Sequence, residues 1–316
     1  MITVSAEKGL PIWLEYAILG ICHLQAASRA ATIAAMHMSA KQFRGWEHNA
    51  ITILGMSGVG KTTLSNHLPQ SSWFHYSGDY RIGTRYLDEP IMDNIRQQAM
   101  QVGFLRDLLR SDSIYIANNI TIHNLEPISS FLGQLGSPDM GGLSQDEFLR
   151  RQHLHREAEN SAMVDVASFM AKAREIYGYQ HFLNDTGGSV CELDSPDAER
   201  VLAENTVVLY IRADDDMEQE LIHRSESNPK PLYYDEKFLM GRLDIYLDAE
   251  GLSDADEMDP KAFASWIFPH LVKHRRPLYQ ALADKYGYTI TATEASQVSS
   301  EADFLELVEI AIDRSA

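Results

Sequence analysis

GMSGVGKTTLS, residues 55–65, is the stretch on which the rest of the chain turns. Gly55, Gly60, Lys61 and Thr62 fit G-x-x-x-x-G-K-[ST], the spacing at which successive backbone N–H groups wrap around phosphate oxygens. Glycine accepts positive φ and has no Cβ to hold the backbone away from an anion. Ser57, Gly58 and Val59 form the body of such a cradle, and Thr63 follows it. Lys61 then reaches the β and γ phosphates as a point charge, and the Thr62 hydroxyl ligates the magnesium that bridges them. The flanks agree: Ile51-Thr52-Ile53-Leu54 reads as a buried strand, and Thr62 to Leu68 as a helix stopped by Pro69, its positive end toward the anion. A turn without a ligand is the competing reading. The order strand, loop, helix favours a site for ATP and Mg2+.

The chain has 316 residues, and its 45% hydrophobic content supplies a sizeable core. A formal net charge of -18 argues against general nucleic-acid binding, because a phosphate backbone is repelled except at a locally basic patch. A compact anionic substrate beside a few arginines remains compatible with it. Cys22 and Cys191 are far apart and in no C-x-x-C pattern, so neither a disulfide framework nor a zinc ribbon is indicated, and a reducing cytoplasm is the default location. Ile12 to Leu24 is apolar but carries Glu15 and is too short to span a bilayer. Residues 1–38 therefore read as an extension, with Met36 and Met38 as alternative translation starts, ahead of one domain at 39–316.

Further strands are expected at Ser72-Trp73-Phe74-His75-Tyr76, His181 to Asn184, Thr206 to Ile211 and Tyr288 to Thr291. Helical stretches separate them, which predicts an α/β fold with a mostly parallel sheet of about five strands and ligands at their carboxyl ends. From Asp88 to about Gly142 the pattern loosens: a helix around Ile91 to Leu109, an ambiguous Ser113 to Ala117, then turn-rich Gly133 to Gly142. This segment reads as an insertion. Gln145 to Tyr177 has mostly helical spacing.

In this order the motifs resemble the shikimate kinase group of small-molecule kinases in the P-loop NTPase superfamily. Gly55 to Thr63 matches the phosphate loop, Ser77-Gly78-Asp79 the acidic site after the second strand, and Thr186-Gly187-Gly188-Ser189-Val190 the Gly-Gly substrate turn. Arg224 through Pro231-Leu232 is similar to the lid, and Arg275-Arg276-Pro277-Leu278-Tyr279 to the helix carrying a substrate arginine. The resemblance covers about half the chain. It implies a three-layer P-loop kinase fold with helices on both faces of the sheet, a substrate-region insertion at about 88–142 and a lid at about 216–240. Two departures stand out. Ser77 occupies a position where the family usually has an acid, and the insertion is much larger than the family's substrate region, so shikimate itself is not the expected substrate.

On this resemblance the catalytic set is Lys61, Asp79 and Arg224. Asp79 orients an acceptor hydroxyl and takes its proton, or closes an Asx turn. Asp185 joins Thr62 near the metal, or belongs to the turn Asn-Asp-Thr-Gly-Gly. Gly187 and Gly188 let a substrate approach the backbone, or form a plain loop. Arg224 closes over the transferred phosphate, or lies on a solvated helix. One of Arg275 and Arg276 binds an anionic or polyhydroxyl substrate through a planar fork, or serves a helix end. His153 and His155, two apart, lie on different helix faces, unlike a metal pair. Asp214-Asp215-Asp216 suits a helix start. The expectation is transfer of the γ-phosphoryl group of ATP to a hydroxyl of a small molecule, with no nucleic-acid or membrane partner. The alternative is a regulatory, switch-type ATPase whose insertion binds a protein.

Overall fold

A computed structural model describes residues 38–315, and the reading of residues 1–37 as an extension lies outside the described residues. Helix α1 (Ala40–Arg44) opens on a capping box in which Ser39 accepts from Gln42 N and the Gln42 side chain accepts from Ser39 N. Strand β1 (Ala50–Leu54) is buried at every position, which requires cover on both faces of the sheet. Helix α2 (Lys61–Ser65) is shorter than the sequence implied, because the ladder tightens to i→i−3 bonds at His67 and Leu68. Pro69 accounts for this, since the residue before a proline is pushed out of the α region.

Strand β2 (Trp73–Ser77) runs into α3 (Gly78–Arg81) and a π-helical turn at Ile82–Tyr86. The single helix expected around Ile91–Leu109 is two: α4 (Asp88–Gln101) and α5 (Gly103–Arg110). Val102 between them is extended, and Gly103 brings the backbone freedom that lets the chain break there. Helix α6 (Glu126–Leu132) has Pro127 in its first turn and stops at Gly133, whose φ is 63°. The long α7 (Gln145–Glu175) leads to β3 (His181–Asp185), then α8 (Pro196–Asn205) and β4 (Val207–Arg212). Next come α9 (Asp215–Ser227), α10 (Glu236–Glu250) and α11 (Pro260–Tyr286), then β5 (Gly287–Thr291), α12 (Ala292–Ser296) and α13 (Glu301–Arg314). As expected, Asp214 starts α9 by accepting from Met217 N at 3.0 Å.

All five strands are parallel, in the order β2-β3-β1-β4-β5. The α/β fold with a five-stranded parallel sheet matches the expectation from the sequence. Ile51, Ile53, Leu183, Leu209 and Ile211 are fully buried at its centre. A second apolar cluster, including Phe148, Phe238, Leu243, Phe263 and Ile267, joins α10 and α11 to the start of α7. The chain leaves β1 toward β2 on one flank and β4 toward β5 on the other, so connections diverge above β1. That divergence opens a crevice at the carboxyl ends of the strands, where the loop 55–60, Asp79, Asp185 and the Gly187–Gly188 turn all emerge. No helix among the described residues is long and apolar enough to cross a membrane.

Candidate functional site

The loop between β1 and α2 has the backbone its glycines allow. Gly55, Gly58 and Gly60 have φ of 149°, 86° and 104°. A Cβ at Gly55 would come within 2.9 Å of Ile211 O, and one at Gly58 within 2.9 Å of Leu221 Cδ2, whereas one at Gly60 would meet nothing within 4 Å. Gly60 thus faces open space. The N–H groups of Ser57, Gly58, Gly60, Lys61 and Thr62 find no acceptor among the described residues. A run of unsatisfied amides in positive-φ backbone is an anion nest. The helix dipole adds little, since α2 is barely more than one turn.

Lys61 is buried, and its Nζ donates to Gly55 O at 2.7 Å and Met56 O at 3.2 Å. Burial lowers its pKa, opposed by Asp185, Asp79 and Glu159. Thr62 Oγ1 donates to Asp185 Oδ2 at 2.7 Å, so the two residues expected at the metal stand side by side. Burial raises the pKa of Asp185, against the pull of Lys61 and the Thr62 hydrogen bond. Asp79, in the first turn of α3, has no hydrogen-bond partner among the described residues. Burial and Asp185 raise its pKa, and Lys61 opposes them. No three or more His, Cys, Asp or Glu side chains are grouped to hold a metal ion among the described residues. Thr62 with Asp185 still suits Mg2+, which keeps several waters and takes one or two carboxylates plus phosphate oxygens.

The glycine pair serves close packing. A Cβ at Gly188 would lie 2.8 Å from Ser57 N, and one at Gly187 would overlap Glu159 Oε1 and stand 3.1 Å from Asp79 Oδ1. The turn is therefore pressed between the loop 55–60 and α7. Glu159 is fully buried, with Oε2 accepting from Ser189 Oγ at 2.5 Å and Oε1 without a hydrogen-bond partner among the described residues. His155, one turn earlier, places Nδ1 3.8 Å from Glu159 Oε2 and stacks on Tyr233. Burial pushes Glu159 up to about 7 and His155 down to about 4. Neither residue is among those expected from the sequence.

Glu159 gives a prediction for stability. Its folded pKa of about 7 lies above the ordinary carboxylate value. Below the unfolded pKa both states are protonated. As pH rises toward 7 only the unfolded state ionises, and stability is lost until the folded pKa is passed. Glu159→Gln is therefore expected to match the parent near pH 4 and to exceed its unfolding free energy by about 1–3 kcal/mol at pH 8. Urea titrations at the two pH values measure this, and His155 is present in both proteins.

The arginines separate by environment. Arg275 is buried, and its fork is engaged inside the protein: Nη1 donates to Gly188 O at 2.8 Å, and Nη2 to Glu192 Oε2 at 2.6 Å and Tyr233 O at 2.8 Å. It ties the Gly-Gly turn to the segment after α9 rather than lying open to a substrate. Arg276 is exposed and donates to Glu218 Oε1 at 3.0 Å. Arg275→Met is expected to cost about 3–5 kcal/mol in urea unfolding because it strands a buried Glu192, whereas Arg276→Ala should change stability by less than about 1 kcal/mol. Tyr279, fully buried, donates its hydroxyl to Gly55 O at 3.2 Å and fixes the start of the loop. Arg224 is exposed and bonded to Glu220 Oε1 at 2.7 Å. It lines, with Ser57, Gly58 and Lys230, a cavity of about 350 Å³ between the phosphate loop and the expected lid. Thr291 and Glu294 form the capping box of α12.

No family model matches the chain, and a search of curated proteins returns no match.

Proposed function

We propose that this chain is an ATP-dependent kinase that transfers a phosphoryl group to a hydroxyl of a small molecule, on a three-layer P-loop kinase fold like that of the shikimate kinase group it resembles. The observation that carries the reading is the set of amides of Ser57, Gly58, Gly60, Lys61 and Thr62, without acceptors among the described residues, beside a buried lysine. Bound ATP·Mg2+ would supply the γ-phosphoryl group and its leaving ADP. Ser57 to Thr63 would hold the phosphates, and Thr62 with Asp185 the metal. Lys61, drawn from the carbonyls of Gly55 and Met56, would neutralise developing charge. Asp79 is free to accept the proton of an acceptor hydroxyl, and its raised pKa suits a base. Arg224 and Lys230 would close over the site and exclude water. The test is ADP release with and without a panel of polyols, sugars and hydroxy acids. Stimulation by one acceptor with stoichiometric phosphorylated product supports the kinase.

A second reading, a regulatory ATPase, draws on α5. Its Phe104 is 73% exposed and Tyr115 just beyond it 88%, an apolar surface within the insertion that suits a protein partner. An ADP-release rate independent of every acceptor favours that reading.

A further inference from the structure

Beside β1 and β4, between α8 and α11, lies a cavity of about 330 Å³ that the phosphoryl-transfer site does not use. Its walls are mainly aliphatic, with Leu54, Val190, Leu193, Leu202, Leu278 and Leu282 among them. Four carboxylates also line it, Glu192, Asp194, Glu199 and Asp235, and among the described residues its lining holds no lysine or arginine and one histidine, His274. Three of the four are engaged: Glu192 pairs with Arg275, Glu199 accepts from Tyr286 at 2.8 Å and from Lys285 at 3.3 Å, and Asp235 caps α10. Asp194 is exposed at the rim, with no hydrogen-bond or ion-pair partner among the described residues.

Glu192 is the decisive group. Its side chain is 1% exposed, and Oε2 is held by Arg275, but Oε1 has no hydrogen-bond donor among the described residues. His274 Nε2 stands 3.5 Å from Oε1 without making a hydrogen bond. A buried acceptor in that condition is destabilising, and native interiors resolve it with water, an ion or a ligand. The cavity is several times the roughly 30 Å³ of one water and is walled by hydrocarbon, at the low end of small-molecule pockets. A molecule that donates N–H at one end and presents hydrocarbon along its length satisfies both features. With Glu192 paired to Arg275 and Glu199 to Lys285, Asp194 and Asp235 remain without an ion pair among the described residues, and they favour a cation over a neutral or anionic donor.

We propose that this cavity binds a small amphipathic amine, its ammonium donating to Glu192 Oε1 and its hydrocarbon body lying between Leu202 and Leu282. Glu192 also holds Arg275, which holds Gly188 O and Tyr233 O, so the occupant touches the network that seats the glycine turn.

The test uses the full chain without nucleotide, so it stands apart from the kinase reading. Hexylamine, hexanol and hexanoate are titrated by calorimetry at concentrations up to about 10 mM, with thermal shift as a second readout. Hexylamine is expected to bind at least about tenfold more tightly than hexanol, and hexanoate not at all. Ala198→Leu, which fills the wall on α8, should weaken hexylamine at least about tenfold, and Asp194→Asn should weaken it less. Absence of hexylamine binding overturns the proposal. So does equal binding of amine and alcohol, or undiminished binding to folded Ala198→Leu.

Discussion

Lys61→Ala is expected to lower nucleotide turnover by on the order of 10³-fold and to weaken ATP binding, with far-UV circular dichroism unchanged. Lys61 is a buried cation at the loop, and three carboxylates face it: Asp185, Asp79 and Glu159. Without its charge, phosphate oxygens brought to that place would meet an excess of negative groups and no neutralising partner. The loop itself should survive. Burial disfavours the charged ammonium, so its removal relieves a desolvation penalty while two hydrogen bonds to Gly55 O and Met56 O are lost. A Tm within a few degrees of the parent, measured alongside the assay, separates lost chemistry from lost fold. Turnover that persists in Lys61→Ala would move the phosphate site elsewhere.

Asp79→Asn is the second large effect. Transfer should fall about 10²–10⁴-fold while ATP affinity changes little, because Asp79, the proposed base for the acceptor hydroxyl, bonds no loop amide among the described residues. The pH profile adds a readout that a structural role would not move. A base must be ionised, so the rate rises with pH through the pKa of Asp79, which burial raises above the usual aspartate range near 4. The acid limb of the parent should lie above that range, and Asp79→Asn should lack it. Unchanged turnover in the variant would remove Asp79 from the acceptor site.

The sheet was legible because each strand is a short apolar run bounded by turns. Ile51–Leu54 and Thr206–Ile211 were placed within one residue of β1 and β4. Thr206 falls outside β4 because its hydroxyl turns back to Leu202 O and closes α8. The strand–loop–helix order around residues 55–60 and the positive φ of Gly55, Gly58 and Gly60 were legible because they are local, carried by glycines in one stretch. Glu159 and His155 were not, because a charged residue in a long helix ordinarily marks a solvated face. The signal was present in the spacing: Arg151, His155 and Glu159 recur every four residues on the face that continues into Ala162, Met163 and Val166, all buried. Polar residues occupy what elsewhere is an apolar stripe. Arg275 was found for its type but not its role. A guanidinium looks the same in sequence whether it faces substrate or a buried glutamate 83 residues away.

The most direct measurement is calorimetric titration of the full chain with ATP, and with the other common nucleoside triphosphates, in magnesium buffer. Saturable binding at one site, weakened in Lys61→Ala, is the expected result. No heat with any triphosphate would contradict it.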